Sequence, residues 1–383
     1  MAQKNTLKTK QKGTQKAKST AKGAKKAKVY PLNYKKLMSQ HLDILSKLKY
    51  PSGLFAASSK TVVTGYDKAW LRDNFYECLA FEMIQDWNTV QKTYRALLNI
   101  FLKHEFKIDW AIREKPQHKH QYIHARFHPI TFEEFWEDWG NKQNDSIGAI
   151  LFKIGELEGV KKGFILENEN DKRVVQKLVY YLGSVEFWHD RDSGMWEEDE
   201  EIHASSVGAC VAGLKMLKKN TDLDIPEMLI IKGRKALREL LPRESERKFV
   251  DLSLLSLIYP YRVTTQKQTE AILTNVEYHL ARNRGVIRYK NDHYYNKNPD
   301  GHSEEAEWTF GLSWLSIIYG ILGKKKKEKE YLKKAIATLT KKGEPELYFS
   351  NTNKANENNP LGWAESMLIV ALYEMNKKHF KIK

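Results

Sequence analysis

From residue 33 onward the chain follows a hydrophobic period close to 3.6 residues, and strict apolar–polar alternation is rare. About a dozen segments carry the pattern, roughly 33–48, 68–85, 88–104, 143–158, 171–186, 204–218, 226–240, 249–258, 266–282, 305–321, 325–340 and 361–376. In the segment that opens near Ser205, a serine at 205 or 206 is placed to cap the helix. Val207, Cys210, Val211, Leu214 and Leu217 then fall on one face.

The segments are of two kinds. Trp308–Tyr319 and Leu361–Tyr373 are apolar almost all round, as expected of helices buried on every side. The segment 325–340 sets lysines and glutamates against Tyr331, Leu332, Ala335, Ile336 and Leu339, as an outer helix should. Alternation of the two kinds predicts two concentric rings. A dozen helices in two rings make an all-α (α/α)6 barrel, although periodicity alone also accommodates an irregular helical bundle. The lysine run Lys324–Lys327 is read as a solvated helix start.

Composition narrows this only at the edges. The 383 residues are 41% hydrophobic, enough for one large domain or two ordinary ones. No run of 18 apolar residues occurs, so no membrane insertion is expected. No apolar core of a signal peptide opens the chain. Cys78 and Cys210 lack metal or redox spacing and are expected to be reduced core residues, which points to the cytoplasm.

The net charge of +16 belongs largely to the N-terminus, where residues 1–28 hold ten lysines and no acid. A stretch of Lys, Ala, Thr, Gln and Gly without apolar period is expected to be a disordered tail over 1–29, with the barrel domain over 30–383. The absence of arginine from it argues against a mitochondrial transit peptide. Such a tail is either a solubilising extension or a weak, salt-sensitive contact for polyanions.

The long inter-helix segments are dense in Trp, Arg, Asp, Glu and His, which suits a polar pocket on a helical scaffold. The sharpest is His189–His203, with seven acids in the twelve residues from Asp190 to Glu201. Acids packed this closely would raise one another's pKa, and burial beside Trp196 would add to it. A carboxyl kept protonated near neutral pH can serve as a general acid. The local sequence fits a solvated acidic loop or a cation site as well. Glu346, in Pro345–Tyr348, is a distant second carboxyl, and glycoside hydrolysis needs two. His120, His124 and His128 are spaced i, i+4, i+8, but Pro116 and Pro129 bracket them, and no metal is assigned there.

Five segments, in order, resemble glycoside hydrolase family 15, the glucoamylases. Tyr66 with Trp70-Leu71-Arg72-Asp73 resembles the substrate-gripping motif. Trp139-Gly140, followed by Gln143 and Asp145 at a helix start, resembles the second motif. Gly194-Met195-Trp196-Glu197-Glu198 resembles the general-acid segment. Arg288-Tyr289 with Tyr294-Tyr295-Asn296 resembles the fourth. Pro345-Glu346 before Pro360-Leu361-Gly362-Trp363-Ala364 resembles the general-base segment.

The resemblance implies a general acid at Glu197, a general base at Glu346 and no cofactor. It implies sugar contacts from Tyr66, Trp70, Arg72, Asp73, Trp139, Gln143, Asp145, Trp196, Glu198 and Arg288, with Arg126 at the pocket rim. The implied activity is inverting, exo-acting hydrolysis of α-glucan or maltooligosaccharide ends, with trehalose as a variant substrate. The stretches from Met195 to Gly208 and from Trp363 to Met367 equally resemble the glucoamylase-like domain of phosphorylase kinase regulatory subunits. That implies, as the alternative, a carbohydrate-binding regulatory barrel without turnover.

Overall fold

The computed structural model describes residues 33–135, 137, 139–296 and 304–377. The expected tail over 1–29 lies outside these residues. Between Tyr34 and Asn376 the architecture is helical, with twelve α-helices among the described residues. They are α1 (Tyr34–Leu48), α2 (Leu71–Met83), α3 (Trp87–Lys103), α4 (Glu105–Arg113), α5 (Asn144–Val160) and α6 (Glu169–Val185). After these come α7 (Ala204–Asn220), α8 (Glu227–Leu240), α9 (Gln266–Asn275), α10 (Phe310–Ile321), α11 (Lys325–Ala337) and α12 (Gly362–Asn376).

Burial sorts these elements into two rings. α2, α5, α7, α10 and α12 are buried along nearly their whole length, as is a 3-10 helix at Leu252–Leu257. In the order α2, α5, α7, 3-10 helix, α10, α12 each packs on the next, and α12 returns to α2, so the inner ring closes. The amphipathic helices α1, α3, α6, α8, α9 and α11 pack outside it. Inner and outer elements alternate along the chain, which is the (α/α)6 barrel.

The tightest seam is α5 against α7, where glycine is required at the crossing. A Cβ on Gly148 would lie 2.4 Å from the Cys210 nitrogen, and one on Gly213 would lie 2.7 Å from the Gly148 oxygen. Backbone-to-backbone approach leaves no side chain there to adjust. The barrel axis is filled by stacked aromatics. Trp363 lies 4.2 Å from Tyr76 and 4.6 Å from Phe310 between ring centres, both nearly parallel.

Several elements differ from the sequence expectation, each for a local reason. The helix expected over 249–258 is the short 3-10 helix, capped by Asp251, whose carboxylate accepts from the Ser253 nitrogen. α4 was not anticipated and forms a short extra helix against α6. The segments expected from 68 and 305 begin later because Ala69–Trp70 (β1) pairs with Arg126–Phe127 (β2), and Glu307–Trp308 (β3) with Leu347–Tyr348 (β4). α9 ends at Asn275 and continues as one wide π turn over Val276–Leu280. Neither serine caps α7. The carboxylate of Glu244 accepts from the Ser205 nitrogen at 3.1 Å and from its hydroxyl at 2.5 Å. Val207, Cys210, Val211, Leu214 and Leu217 are all buried, as the period predicts. No helix among the described residues is long and apolar enough to cross a membrane.

Candidate functional site

The inner elements begin at one end of the barrel, and a cavity of about 210 Å³ opens there. Its wall comes from the starts of those elements. Trp70, Arg72 and Asp73 open α2, Trp139 precedes α5, and Met195–Glu198 precede α7. Trp308 precedes α10, while Leu361 and Trp363 open α12. Arg288 joins them through its carbonyl, which accepts from the Leu252 nitrogen at the start of the 3-10 helix. Helix N-termini direct unsatisfied N–H groups and positive dipole ends toward such a mouth, which favours a cavity rich in carboxylates.

The acidic segment is folded into place by a bridge between Asp192 and Glu201, so residues 193–200 form its tip. Gly194 has φ of +62° with the His203 ring beneath it, where a Cβ would come within 2.8 Å. Glu197 itself has φ of +63°, a left-handed conformation uncommon for a non-glycine residue and frequent at functional sites. Its backbone leaves no room on Gly140 for a Cβ, which would lie 2.7 Å from the Glu197 oxygen. This explains the Trp-Gly pair of the second motif.

Three donors hold the Glu197 carboxylate. Trp139 Nε1 donates to one oxygen at 2.6 Å; Gln143 Nε2 at 3.0 Å and Arg72 Nη2 at 3.1 Å donate to the other. Arg72 Nη1 is held in turn by Gln143 Oε1 at 2.9 Å and Asp145 Oδ2 at 3.0 Å. Burial works against the Arg72 charge, but Asp145, Glu197 and Asp73 outweigh it.

The acids of the segment take separate partners, yet burial first, then Asp145 and Asp190, push Asp192 up to about 7 against the pull of His203, so the expected mutual raising holds for that pair. Asp190 pairs with Lys142 at 3.0 Å, and Asp192 accepts from the Asn144 nitrogen at the start of α5. Glu201 accepts from the Arg247 nitrogen. Glu198 is bound by Arg288 at 2.5 Å and by the Tyr289 hydroxyl, with Lys248 3.5 Å away. Asp292 accepts from Arg288 Nε and shares its Nη2 with Glu198.

Across the cavity sits Glu346, 2% exposed. Tyr66 donates to one of its oxygens at 3.1 Å, and the Nδ2 groups of Asn356 and Asn358 donate to the other at 2.5 and 2.7 Å. Burial raises the Glu346 pKa above the usual carboxylate value, and these donors only partly offset that. Asp73 feels both glutamates. Burial first, then Glu197 and Glu346, push it up to about 7 against the pull of Arg72. The floor is aromatic, with Trp196 packed 5.7 Å from Trp308 and 6.4 Å from Trp363 between ring centres.

The cavity thus brings together Tyr66, Trp70, Arg72, Asp73, Trp139, Trp196, Glu197, Glu198, Arg288 and Glu346. Three sequence candidates stand behind the wall instead. Gln143 and Asp145 hold Arg72, and the Arg126 guanidinium stacks 3.8 Å from the Trp139 ring centre while pairing with Glu137. Arg126 therefore sets the Trp139 ring from behind and does not form the rim. The three histidines do not share a helix face: His120 lies in the 3-10 turn Lys119–Gln121, and His124 and His128 lie beyond it.

Sequence reasoning gave no site role to Trp308, to the Tyr294 hydroxyl 2.9 Å from Tyr66, or to the two asparagines on Glu346. A tryptophan at the start of an inner helix was a usable signal, because Trp70 and Trp363 are placed in the same way. The asparagines sit in a loop whose composition gave none.

Residues 34–275 match the model of the glycosyl hydrolases family 15. The chain is 25% identical to the phosphorylase b kinase regulatory subunit alpha, skeletal muscle isoform, of Oryctolagus cuniculus, over 85% of this chain and 30% of that protein. It is 26% identical to an uncharacterized glycosyl hydrolase of Methanocaldococcus jannaschii, over 61% of this chain and 42% of that one. The chain therefore spans less than half the length of these curated relatives. Among solved structures, a glycosidase variant in complex with glucose shares the fold at a TM-score of 0.74 and 17% identity, over 90% of this chain and 97% of that one. The family match over residues 34–275, on the barrel just described, makes this chain a member of glycoside hydrolase family 15.

Proposed function

We propose that this glycosidase-fold protein is an inverting, exo-acting α-glucosidase that releases glucose from the ends of α-glucans or maltooligosaccharides, with trehalose as a variant substrate. The observation that carries the reading is that Glu197 and Glu346 line one small cavity from different walls. In this reading Glu197 protonates the glycosidic oxygen. Glu346, ionised, takes a proton from a water on the opposite face, a geometry that needs roughly 6.5–9.5 Å between the carboxyls.

Glu197 Oε1 accepts from both Gln143 and Arg72, whereas Oε2 accepts from Trp139 alone and keeps a lone pair, so Oε2 is the oxygen that can carry the proton. Arg72 and Asp73 offer a donor fork and an acceptor to adjacent hydroxyls, Arg288 with Glu198 a second pair, and the Trp139 and Trp196 faces stack on the ring. A cavity closed below by Trp196 and Trp363 admits a chain end and not a chain middle, which supports exo action. Two buried, unpaired cysteines accord with a reducing compartment, and the cytoplasm is our assignment.

The test is glucose release from maltose through maltoheptaose and from trehalose, with Glu197→Gln and Glu346→Gln beside the wild type. Each substitution should lower kcat by about 10²–10⁴-fold, the usual share of a positioned acid or base. Turnover that survives both would sink the assignment.

A second reading, a non-catalytic sugar-binding barrel, rests on the likeness to the kinase regulatory subunit over 85% of this chain. It predicts saturable sugar binding without turnover by a folded wild type. The lysine-rich tail is assigned a weak polyanion contact that deletion of residues 1–28 should remove.

A further inference from the structure

A cavity of about 340 Å³ opens on the outer face of the barrel, between α7, α8 and the start of α9. Four cationic side chains line it: Lys215 from α7, Arg234 and Arg238 from α8, and Arg262 from the loop before α9. No carboxylate does. Two other outer cavities of similar size hold carboxylates among their cations, with Glu307 beside Arg284 and Lys334 in one and Glu158 and Asp222 beside Lys162 and Lys172 in the other.

The contrast extends to individual arginines. Arg72, Arg95, Arg126, Arg173 and Arg288 are each bonded to a carboxylate, while Arg113, Arg191 and Arg282 donate to backbone carbonyls. Among the described residues, Arg234, Arg238 and Lys215 bond to none. Arg262 also faces Glu156, but the other three like charges around the concavity repel one another, and an anion seated among them removes that repulsion.

The backbone adds to the same field. The first turn of α9 opens on this cavity through Thr265 and Gln268, which satisfy each other in a reciprocal cap. The N–H groups of Gln266 and Lys267 have no intrahelical acceptor by virtue of their position, and the helix dipole favours negative charge there. Val211, Leu237 and Leu241 make the floor apolar, so the cavity pairs a charged rim with a surface for a non-polar body. Arg262 is held with φ of +53°, outside the usual range for its type.

We infer that this cavity binds a phosphate-bearing small molecule, with Arg234, Arg238, Arg262 and Lys215 around the phosphate. Arginine forks suit phosphate oxygens in pairs, and the lysine supplies a point charge. The site is separate from the acidic central cavity and does not depend on the hydrolytic reading.

The experiment is calorimetric titration of the full chain with inorganic pyrophosphate at fixed salt. Wild type is compared with Arg234→Gln/Arg238→Gln and with Lys329→Gln/Lys333→Gln, which removes the same charge from an exposed face of α11. Both variants keep the lysine tail, so binding by the tail is common to all three proteins. Thermal melts followed by circular dichroism check that each is folded.

Saturable binding, weakened about tenfold or more by the arginine pair and unchanged by the lysine pair, is expected from the loss of two charge-assisted contacts. Equal weakening by both variants, or no saturable binding by wild type, would overturn the inference. So would a polynucleotide that needs Arg234 and Arg238 where pyrophosphate does not bind, since that marks a macromolecular surface.

Discussion

Replacing Asn356 with leucine tests how Glu346 is tuned. Asn356 is buried beside Glu346, and its Nδ2 donates to one carboxylate oxygen at 2.5 Å. Its own Oδ1 has no partner among the described residues, and Tyr295, which the Asn356 amide also reaches, keeps its bond to Glu357. Burial already holds the Glu346 pKa above the ordinary carboxylate value, and Asn358, Asn356 and Tyr66 pull against it.

A hydrogen bond to a charged group contributes about 1.5–3 kcal/mol. At about 1.4 kcal/mol per pKa unit, its loss corresponds to one or two units. Asn358 and Tyr66 remain, which places the expected shift near the lower end, about one unit upward. A general base must be ionised, so the acid limb of kcat/KM against pH should move to higher pH by that amount, and the alkaline limb should stay. The profile of kcat/KM reports the free enzyme and is the right measurement. An acid limb that stays in place or moves down, in a variant that melts normally, would refute the reasoning.

Two further predictions concern stability. Burial lowers the His203 pKa, but Glu244 and Asp192 more than compensate and raise it to about 9. A folded pKa above the unfolded value of about 6.5 gives stabilisation that is complete below about pH 6.5 and lost as pH rises through about 9. Urea midpoints of wild type should therefore converge on those of His203→Gln between these limits, and a constant gap across pH 6–10 would contradict it. Gly148→Ala should destabilise by about 1–3 kcal/mol or more through overpacking of α5 on α7, because its Cβ would lie 2.4 Å from a backbone nitrogen. An unchanged urea midpoint would contradict the close approach.

The rings were legible because burial imposes a period. α10 and α12 are apolar on all sides and α11 on one, and that difference alone distinguishes inner from outer. The 3-10 helix at Leu252–Leu257 was harder to read, since six buried residues are too few to separate one helical period from another. The site was legible where a residue type has few other uses in a loop, as with Trp139-Gly140 or Trp196-Glu197.

It was not legible where a neighbour brought from afar decides the chemistry. Glu244 caps α7 from 39 positions away in the chain, and Asn358 reaches Glu346 from a loop of ordinary composition. The dispersal of the acidic segment belongs to the same class. Sequence proximity suggested mutual repulsion, which Asp190 and Asp192 keep, while Lys142, Arg288 and the start of α5 give the acids separate partners.

The most direct test of the account is the anomeric form of the first glucose released, followed by proton NMR within the first minutes of a maltooligosaccharide reaction. Attack by a Glu346-activated water on the face opposite the Glu197-protonated leaving group predicts β-glucose first, with α-glucose appearing only by later mutarotation. α-Glucose as the initial product would contradict the two-carboxylate inverting mechanism. Sugar binding by the folded protein with no glucose at all would transfer the case to the regulatory reading.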